Sequence, residues 1–213
     1  MSRGILIIGE SGAGKTTSMR NLNPEETFYI DCDKKGLSWR NWREQYNKDK
    51  KNYMATSDAS KVSDVLDKIN NEQSHIKNII IDTLNAIMID DEFNRMKEKS
   101  FDKWQDMASA IYFIALKSNN LRENLNVICI GHAQTERDEN GYSFTRMKTS
   151  GKKLDKIVPE SKFTTVLLAK AVNGEYIFET HANNSTAKTP MGAFEEDTIE
   201  NDITKVLERL KEF

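Results

Sequence analysis

The sequence predicts an α/β fold, with a mainly parallel central sheet flanked by helices and extended by antiparallel hairpins toward the C-terminus. Three observations predict it. Short apolar runs suited to buried strands recur along the first two thirds of the chain with helical stretches between them, the alternation that builds parallel sheets. A glycine-rich run follows the first apolar run directly. The last third carries two Asn-Gly pairs, Asn140-Gly141 and Asn173-Gly174, each flanked by strand-like segments, which is a strong hairpin signal.

The first strand is Gly4-Ile5-Leu6-Ile7-Ile8, and after it Gly9-Glu10-Ser11-Gly12-Ala13-Gly14-Lys15-Thr16 fills every fixed position of G-x-x-x-x-G-K-[ST], the P-loop. Residues 16–22 are expected to open a helix. Strand, glycine-rich loop and helix together point backbone N–H groups at phosphate oxygens. The expected nucleotide contacts are Gly9, Glu10, Ser11, Gly12, Ala13, Gly14, Lys15, Thr16 and Thr17. Lys15 supplies a charge for the β- and γ-phosphates, and Thr16 a hydroxyl for Mg²⁺, which takes few protein ligands. ATP and Mg²⁺ are therefore the expected ligands.

Residues 27–31 read as the second strand. A charged, aromatic-rich segment over 34–53 follows, where Trp39 and Trp42, three apart, are expected on one helix face. A short run covers 53–56. Over 59–72, Val62, Val65, Leu66 and Ile69 recur at helical spacing. Ile79-Ile80-Ile81-Asp82 is a buried strand ending in an acid; 84–124 reads as mostly helical with a break near Ser100; Val127-Ile128-Cys129-Ile130 is another buried strand. Hairpins are expected over 133–148 and between 163–171 and 175–181, and a closing helix over 199–210 behind an acidic stretch.

A chain of 213 residues is read as one large domain, 1–213, and 38% hydrophobic with 30% charged residues is the composition of a soluble globular protein. The formal net charge of −2 excludes a globally basic nucleic-acid coat, so any such contact is local. Cys32 and Cys129 sit inside apolar runs and read as small core residues, not as a disulfide or zinc framework. No signal peptide is visible and the apolar runs are too short for a membrane span, so a cytoplasmic location is expected.

Hydrolysis of a nucleoside triphosphate needs a carboxylate near Mg²⁺ and a group that positions water. Asp31 and Asp82 both end apolar strands, and Asp82, after the cleaner run, is assigned to the metal; the alternative is a helix cap. Asp33, two residues beyond Asp31 and expected on the same face of an extended chain, is the candidate base. His132, just past the strand end at Ile130, is placed to touch the γ-phosphate.

These residues resemble the RecA-like branch of P-loop ATPases. Tyr29-Ile30-Asp31-Cys32-Asp33 is similar to the strand that leads to the catalytic acid, which places Asp33 in that role. Ile79-Ile80-Ile81-Asp82-Thr83 resembles the Walker B strand, and Val127 through His132 the strand that senses γ-phosphate, with His132 where relatives often carry Gln. Ala187-Lys188-Thr189-Pro190-Met191-Gly192 resembles a Lys-x-Arg-x-Gly stretch whose basic residues reach a neighbouring subunit's ATP; Lys188 matches, and Pro190 replaces the arginine. The layout is most similar to phage-encoded RecA-like ATPases of the Sak type. That resemblance implies a RecA-like fold, slow Mg²⁺-dependent ATP hydrolysis, a homo-oligomer, a place in the host cytoplasm, and annealing or recombination of phage DNA alongside phage replication and recombination proteins.

The stretch after His132 corresponds to the second DNA-binding loop of RecA-like recombinases. Residues 142–162 are locally basic, and Tyr142, Phe144, Arg146, Lys148, Lys152 and Lys153 are the candidate contacts to single-stranded DNA, cations for phosphates and rings for bases. Residues 34–53 form a second basic segment, ranked below the hairpin. The rival readings are a small-molecule kinase, which needs an arginine-rich lid, and a nucleotide-gated interaction protein.

Overall fold

The apolar runs form the spine of one twisted sheet in the computed structural model, which describes residues 1–100, 102–149 and 158–213. The strands are β1 (Arg3–Gly9), β2 (Thr27–Asp31), β3 (Tyr53–Ala55), β4 (Asn78–Asp82), β5 (Asn126–Arg137), β6 (Ser143–Met147), β7 (Thr165–Val172), β8 (Glu175–Glu179) and β9 (Thr198–Glu200). Their spatial order is β3-β2-β4-β5-β1-β7-β8-β9, with β6 added to the far end of β5. Pairings from β3 through β7 are parallel, and β5–β6, β7–β8 and β8–β9 are antiparallel. This is the mixed α/β fold, a mainly parallel sheet extended by antiparallel strands, that the sequence predicts.

Parallel strands are buried on both faces, which is why their sequences are continuously apolar instead of alternating. One face packs Leu6, Ile8, Ile79, Ile81 and Cys129 under α2 (Ala59–Glu72), α3 (Leu84–Asn94) and α4 (Asp102–Lys117). The other packs Ile5, Ile7, Tyr29, Ile80 and Ile130 against Met19, Leu22, Tyr46 and α5 (Ile203–Arg209). Each such isoleucine contributes about 1.5–3 kcal/mol by leaving water. Both cysteines are buried and free, as their apolar surroundings predict. Among the described residues no helix is long and apolar enough to cross a membrane.

Helix α2 starts where Asp58 accepts from the Ser60 and Lys61 amides (2.9 and 3.3 Å), and it buries Val62, Val65, Leu66 and Ile69. The break in the 84–124 region falls between α3 and α4, as expected. The second hairpin closes at Asn173 and Gly174, both at positive φ (52° and 84°), the pair of left-handed residues that a two-residue turn needs.

Four expectations are corrected. The P-loop does not open a long helix: only a 3₁₀ turn (Thr17–Met19) forms. Arg20 and Asn21 bond instead to the Asn201 carbonyl and the Asp202 carboxylate, and Pro24 disfavours helix at the residue before it. Trp39 and Trp42 do not share a helix, because α1 spans only Trp42–Gln45. The closing helix begins at Ile203, where Asp202 caps it through Thr204 N (2.9 Å), while residues 198–200 pair with β8 as an edge strand. Finally, β5 continues to Arg137, so His132 lies within a strand and not beyond its end.

Candidate nucleotide site

The carboxyl ends of β1, β2, β4 and β5 converge on one crevice. Parallel register puts Asp31 beside Asp82, Asp82 beside Ile130, and Gly9 beside His132. Asp31, Asp82 and His132 follow Tyr29, Ile80 and Ile130 by two residues, so all three project from the sheet face that carries the P-loop turn.

The loop from Glu10 to Thr16 is open to solvent at Glu10, Ser11 and Gly12 and buried at Ala13 and Lys15. Gly14 has φ of 84°, and a Cβ there would sit 2.9 Å from the Tyr176 ring, so only glycine fits. Among the described residues the amide N–H groups of Gly12, Gly14, Lys15 and Thr16 donate to no protein acceptor. The Lys15 ammonium is held by the carbonyls of Gly9 (2.8 Å) and Glu10 (2.7 Å), which leaves its third N–H. Burial pushes its pKa down to about 8, against the opposing pull of Asp82.

Asp82 is almost wholly buried. Its Oδ2 accepts from Thr16 Oγ1 (2.7 Å) and from the Tyr29 hydroxyl (2.6 Å), while its Oδ1 is buried with no partner. Burial raises its pKa, and the two hydroxyl donors oppose that rise. The cap of α3 is Thr83, whose Oγ1 accepts from Ala86 N (3.3 Å), so Asp82 is not spent on capping. A buried carboxylate with one oxygen lacking a donor and the other joined to the P-loop threonine is the donor set that fits a hard divalent cation holding most of its own waters. Thr16 and Asp82 thus fit Mg²⁺ on their own chemistry.

Asp31 and Asp33 do not share a face. The strand ends at Asp31, whose Oδ2 accepts from Gly36 N (2.8 Å) and the Tyr53 hydroxyl (2.7 Å), whereas Asp33 accepts from Thr83 Oγ1 (3.2 Å) and Lys35 Nζ. Asp31 is structural, and Asp33 faces the crevice through the residue after Asp82. His132 is half-buried; burial lowers its pKa, and Lys15 lowers it further.

These elements carry a P-loop α/β frame, and the family model described as "AAA domain" matches residues 1–191. The chain belongs to this AAA domain family. Among solved structures, the KaiC-like protein PH0186 from the hyperthermophilic archaeon Pyrococcus horikoshii OT3 aligns at a TM-score of 0.45 and 13% identity, over 83% of this chain and 76% of that one. No curated protein matches in sequence. For this AAA-domain chain a nucleotide-binding, ATPase-type site follows from the family.

Not every candidate arrives there. Lys188 is exposed, and its backbone pairs with Val166, three register positions below the Ala169 that lies beside Gly9. Tyr142 is exposed at the hairpin tip, Phe144 and Arg146 are partly covered, and Lys148 is exposed at the hairpin base. Arg146 binds the Glu136 carboxylate across the hairpin through Nε (3.1 Å) and Nη2 (2.7 Å). Lys152 and Lys153 lie outside the described residues. Lys162, at the end of the basic segment, stacks its ammonium 4.7 Å from the Tyr112 ring.

Three residues that sequence reasoning passed over organise the site. Tyr29 lies two before Asp31 on the same strand face, and its hydroxyl reaches Asp82; strand alternation alone was the available signal. Trp39 and Tyr46 pack edge-on against its ring (6.2 and 5.6 Å between centroids), so the tryptophan is an anchor for Tyr29. Asn85 is buried in α3, accepts from His132 N (2.7 Å) and donates to the Lys148 carbonyl (2.8 Å). Lys35, the third, sits on the Asp33 carboxylate, and its charge is felt at Lys15.

Proposed function

We propose that this chain is an Mg²⁺-dependent ATPase that couples its nucleotide state to single-stranded DNA bound on the β5–β6 hairpin. The observation that carries the ATPase reading is Asp82, buried, bonded to Thr16 through one oxygen and left without a partner at the other, beside unpaired P-loop amides. Mg²⁺, when bound, neutralises charge on the β- and γ-phosphates; Thr16 and Asp82 would hold it. The amides of Gly12, Gly14, Lys15 and Thr16 and the third N–H of Lys15 bind phosphate oxygens. Asp33 orients water and accepts its proton, a role consistent with its Thr83 hydrogen bond. His132, level with Gly9 and continuous with the hairpin, transmits loss of the γ-phosphate along β5.

The DNA part of this reading rests on the RecA-like resemblance and on Phe144, Arg146 and Lys148 sharing the hairpin face with His132. Lys188, exposed and away from the site of its own chain, is available to a neighbouring subunit in a homo-oligomer. Annealing or recombination of phage DNA is the task this would serve. One observation favours a second reading. Residues 133–148 carry as many acidic as basic side chains, Glu136, Asp138 and Glu139 against Arg137, Arg146 and Lys148. A neutral hairpin also suits a nucleotide-gated protein interaction. ATP turnover measured with and without single-stranded DNA separates the two: stimulation with retained DNA supports the first, and DNA-independent turnover without retention supports the second.

A further inference from the structure

The turn after β2 is built to hold one lysine over the crevice. The Cys32 and Asp33 amides both donate to the Asp82 carbonyl (2.7 and 3.3 Å), and Gly36 N is pinned by the Asp31 carboxylate. Lys34 adopts a left-handed φ of 56°, a conformation disfavoured for a residue with a side chain. It is held there by its ammonium on Asp90 (2.6 Å), a carboxylate that also accepts from Ser57 (2.5 Å). Gly36 is left-handed too, φ 82°, with the Trp42 ring 2.6 Å from where a Cβ would stand. Beyond it Ser38 bonds Thr17 of the P-loop turn (2.9 Å).

So Asp31 and Asp82 at two strand ends, Asp90 of α3 and the P-loop turn clamp a strained turn, and clamped strain at a site is a reason to ask what it positions. Lys34 is directed away to Asp90, whereas Lys35 lies on Asp33, the candidate base, at the mouth of the crevice. Its side chain is 59% exposed, and its charge acts on Lys15, Asp82 and His132 alike. Burial lowers its pKa, but the hydrogen bond and charge of Asp33 outweigh this and keep it protonated. Lys188, the other cation considered for this role, is remote from the P-loop of its own chain.

We propose that Lys35 is a catalytic cation supplied in cis, its ammonium binding the γ-phosphoryl oxygens of a nucleoside triphosphate and releasing Asp33 to act as base. This rests on the ATPase reading above. In the step it serves, the water oxygen bonds to the γ-phosphorus and the bond from that phosphorus to the bridging oxygen breaks. The electron pair leaves on the ADP β-phosphate, and the water proton passes to Asp33. Lys35 stabilises the oxygens on which charge is spread. Because an ammonium shared with Asp33 would weaken it as a base, moving Lys35 to the phosphate joins substrate binding to base activation.

The test uses the full chain with Lys35→Ala, Lys35→Gln and Lys35→Arg, reading kcat for ATP and, separately, the affinities for ADP and for the slowly hydrolysed analogue ATPγS. Expected for Lys35→Ala and Lys35→Gln is a fall in kcat of about 10²-fold or more, with ADP affinity within about threefold of wild type. The preference for ATPγS over ADP should be lost and Lys35→Arg should restore part of both. A Lys35→Gln chain at the wild-type rate would show that only a hydrogen bond to Asp33 is needed, and overturns the proposal. Recovery of turnover on mixing Lys35→Ala with Lys15→Ala subunits would place the cation in trans and overturn it too. A wild-type chain that hydrolyses ATP while Lys35→Ala keeps pace sinks Lys35 and leaves the ATPase reading standing; a wild-type chain that neither binds nor hydrolyses ATP sinks both.

Discussion

Strand β5 is buried from Val127 to Gly131 and exposed from Thr135 to Arg137, and its two halves serve the two candidate surfaces. The lower half is held between β4 and β1, both parallel to it and both buried. The upper half pairs with β6, antiparallel and at the edge. The lower half therefore fixes His132 beside Gly9 with the stiffness of a packed core, while the upper half has few buried contacts and belongs to the low-stability end of the molecule. Phosphate chemistry needs groups held still, and a surface that answers to nucleotide needs one free to shift. The same strand has a held end and a loose end because burial stops at the P-loop level.

The comparison breaks most plainly at the rigid end. Lys15→Ala should lower ATP turnover by about 10²–10³-fold, the cost of removing one preorganised charge from a water-poor site, with the melting transition retained. Normal steady-state turnover in that variant would move the site elsewhere. Next in size is Tyr29→Phe, which takes one of two hydroxyl donors from the buried Asp82 carboxylate. Chemical denaturation should show a loss of about 1.5–3 kcal/mol, the range for a hydrogen bond to a charged group. No change would mean that Asp82 is satisfied without it.

Asn85 sits at the junction and sharpens the contrast. Replacing it with Ala leaves the His132 amide and the Lys148 carbonyl without their partner, at a cost of about 1–3 kcal/mol. Hydrogen exchange should then speed up in 132–148 far more than in 127–131; uniform acceleration along β5 would erase the division. The smallest effect belongs to the hairpin. Removing Arg146 and Lys148 together should flatten the salt dependence of single-strand affinity by about 0.7 per lost phosphate contact. An unchanged slope in a salt titration would clear the hairpin of DNA contact. Arg146 is the weaker of the two candidates, since Glu136 already answers its charge.

How much was legible beforehand differs by the range of the signal. The P-loop, the strand at Ile79–Ile81 and the acid after it follow from neighbours in sequence, and they stand where the pattern puts them. Asp33 reached the crevice, but by a turn and not by strand alternation, since the strand stops at Asp31 and a left-handed Lys34 cannot be read from residue type. The basic count over 142–162 leaves out the opposing arm, where antiparallel pairing sets Glu136 against Phe144 and within reach of Arg146.

The sequence by itself determined which segments are buried strands and which loop grips phosphate, because apolar continuity and a fixed glycine spacing are local properties of the chain. Only the tertiary structure decided that Tyr29 and Thr16 share Asp82, that Asn85 ties the hairpin to α3, and that the charge of Lys35 instead of Lys188 is felt at Lys15. Those outcomes depend on pairings between residues far apart in the chain, fixed by strand register and by the hydrogen bonds that buried polar groups form across it.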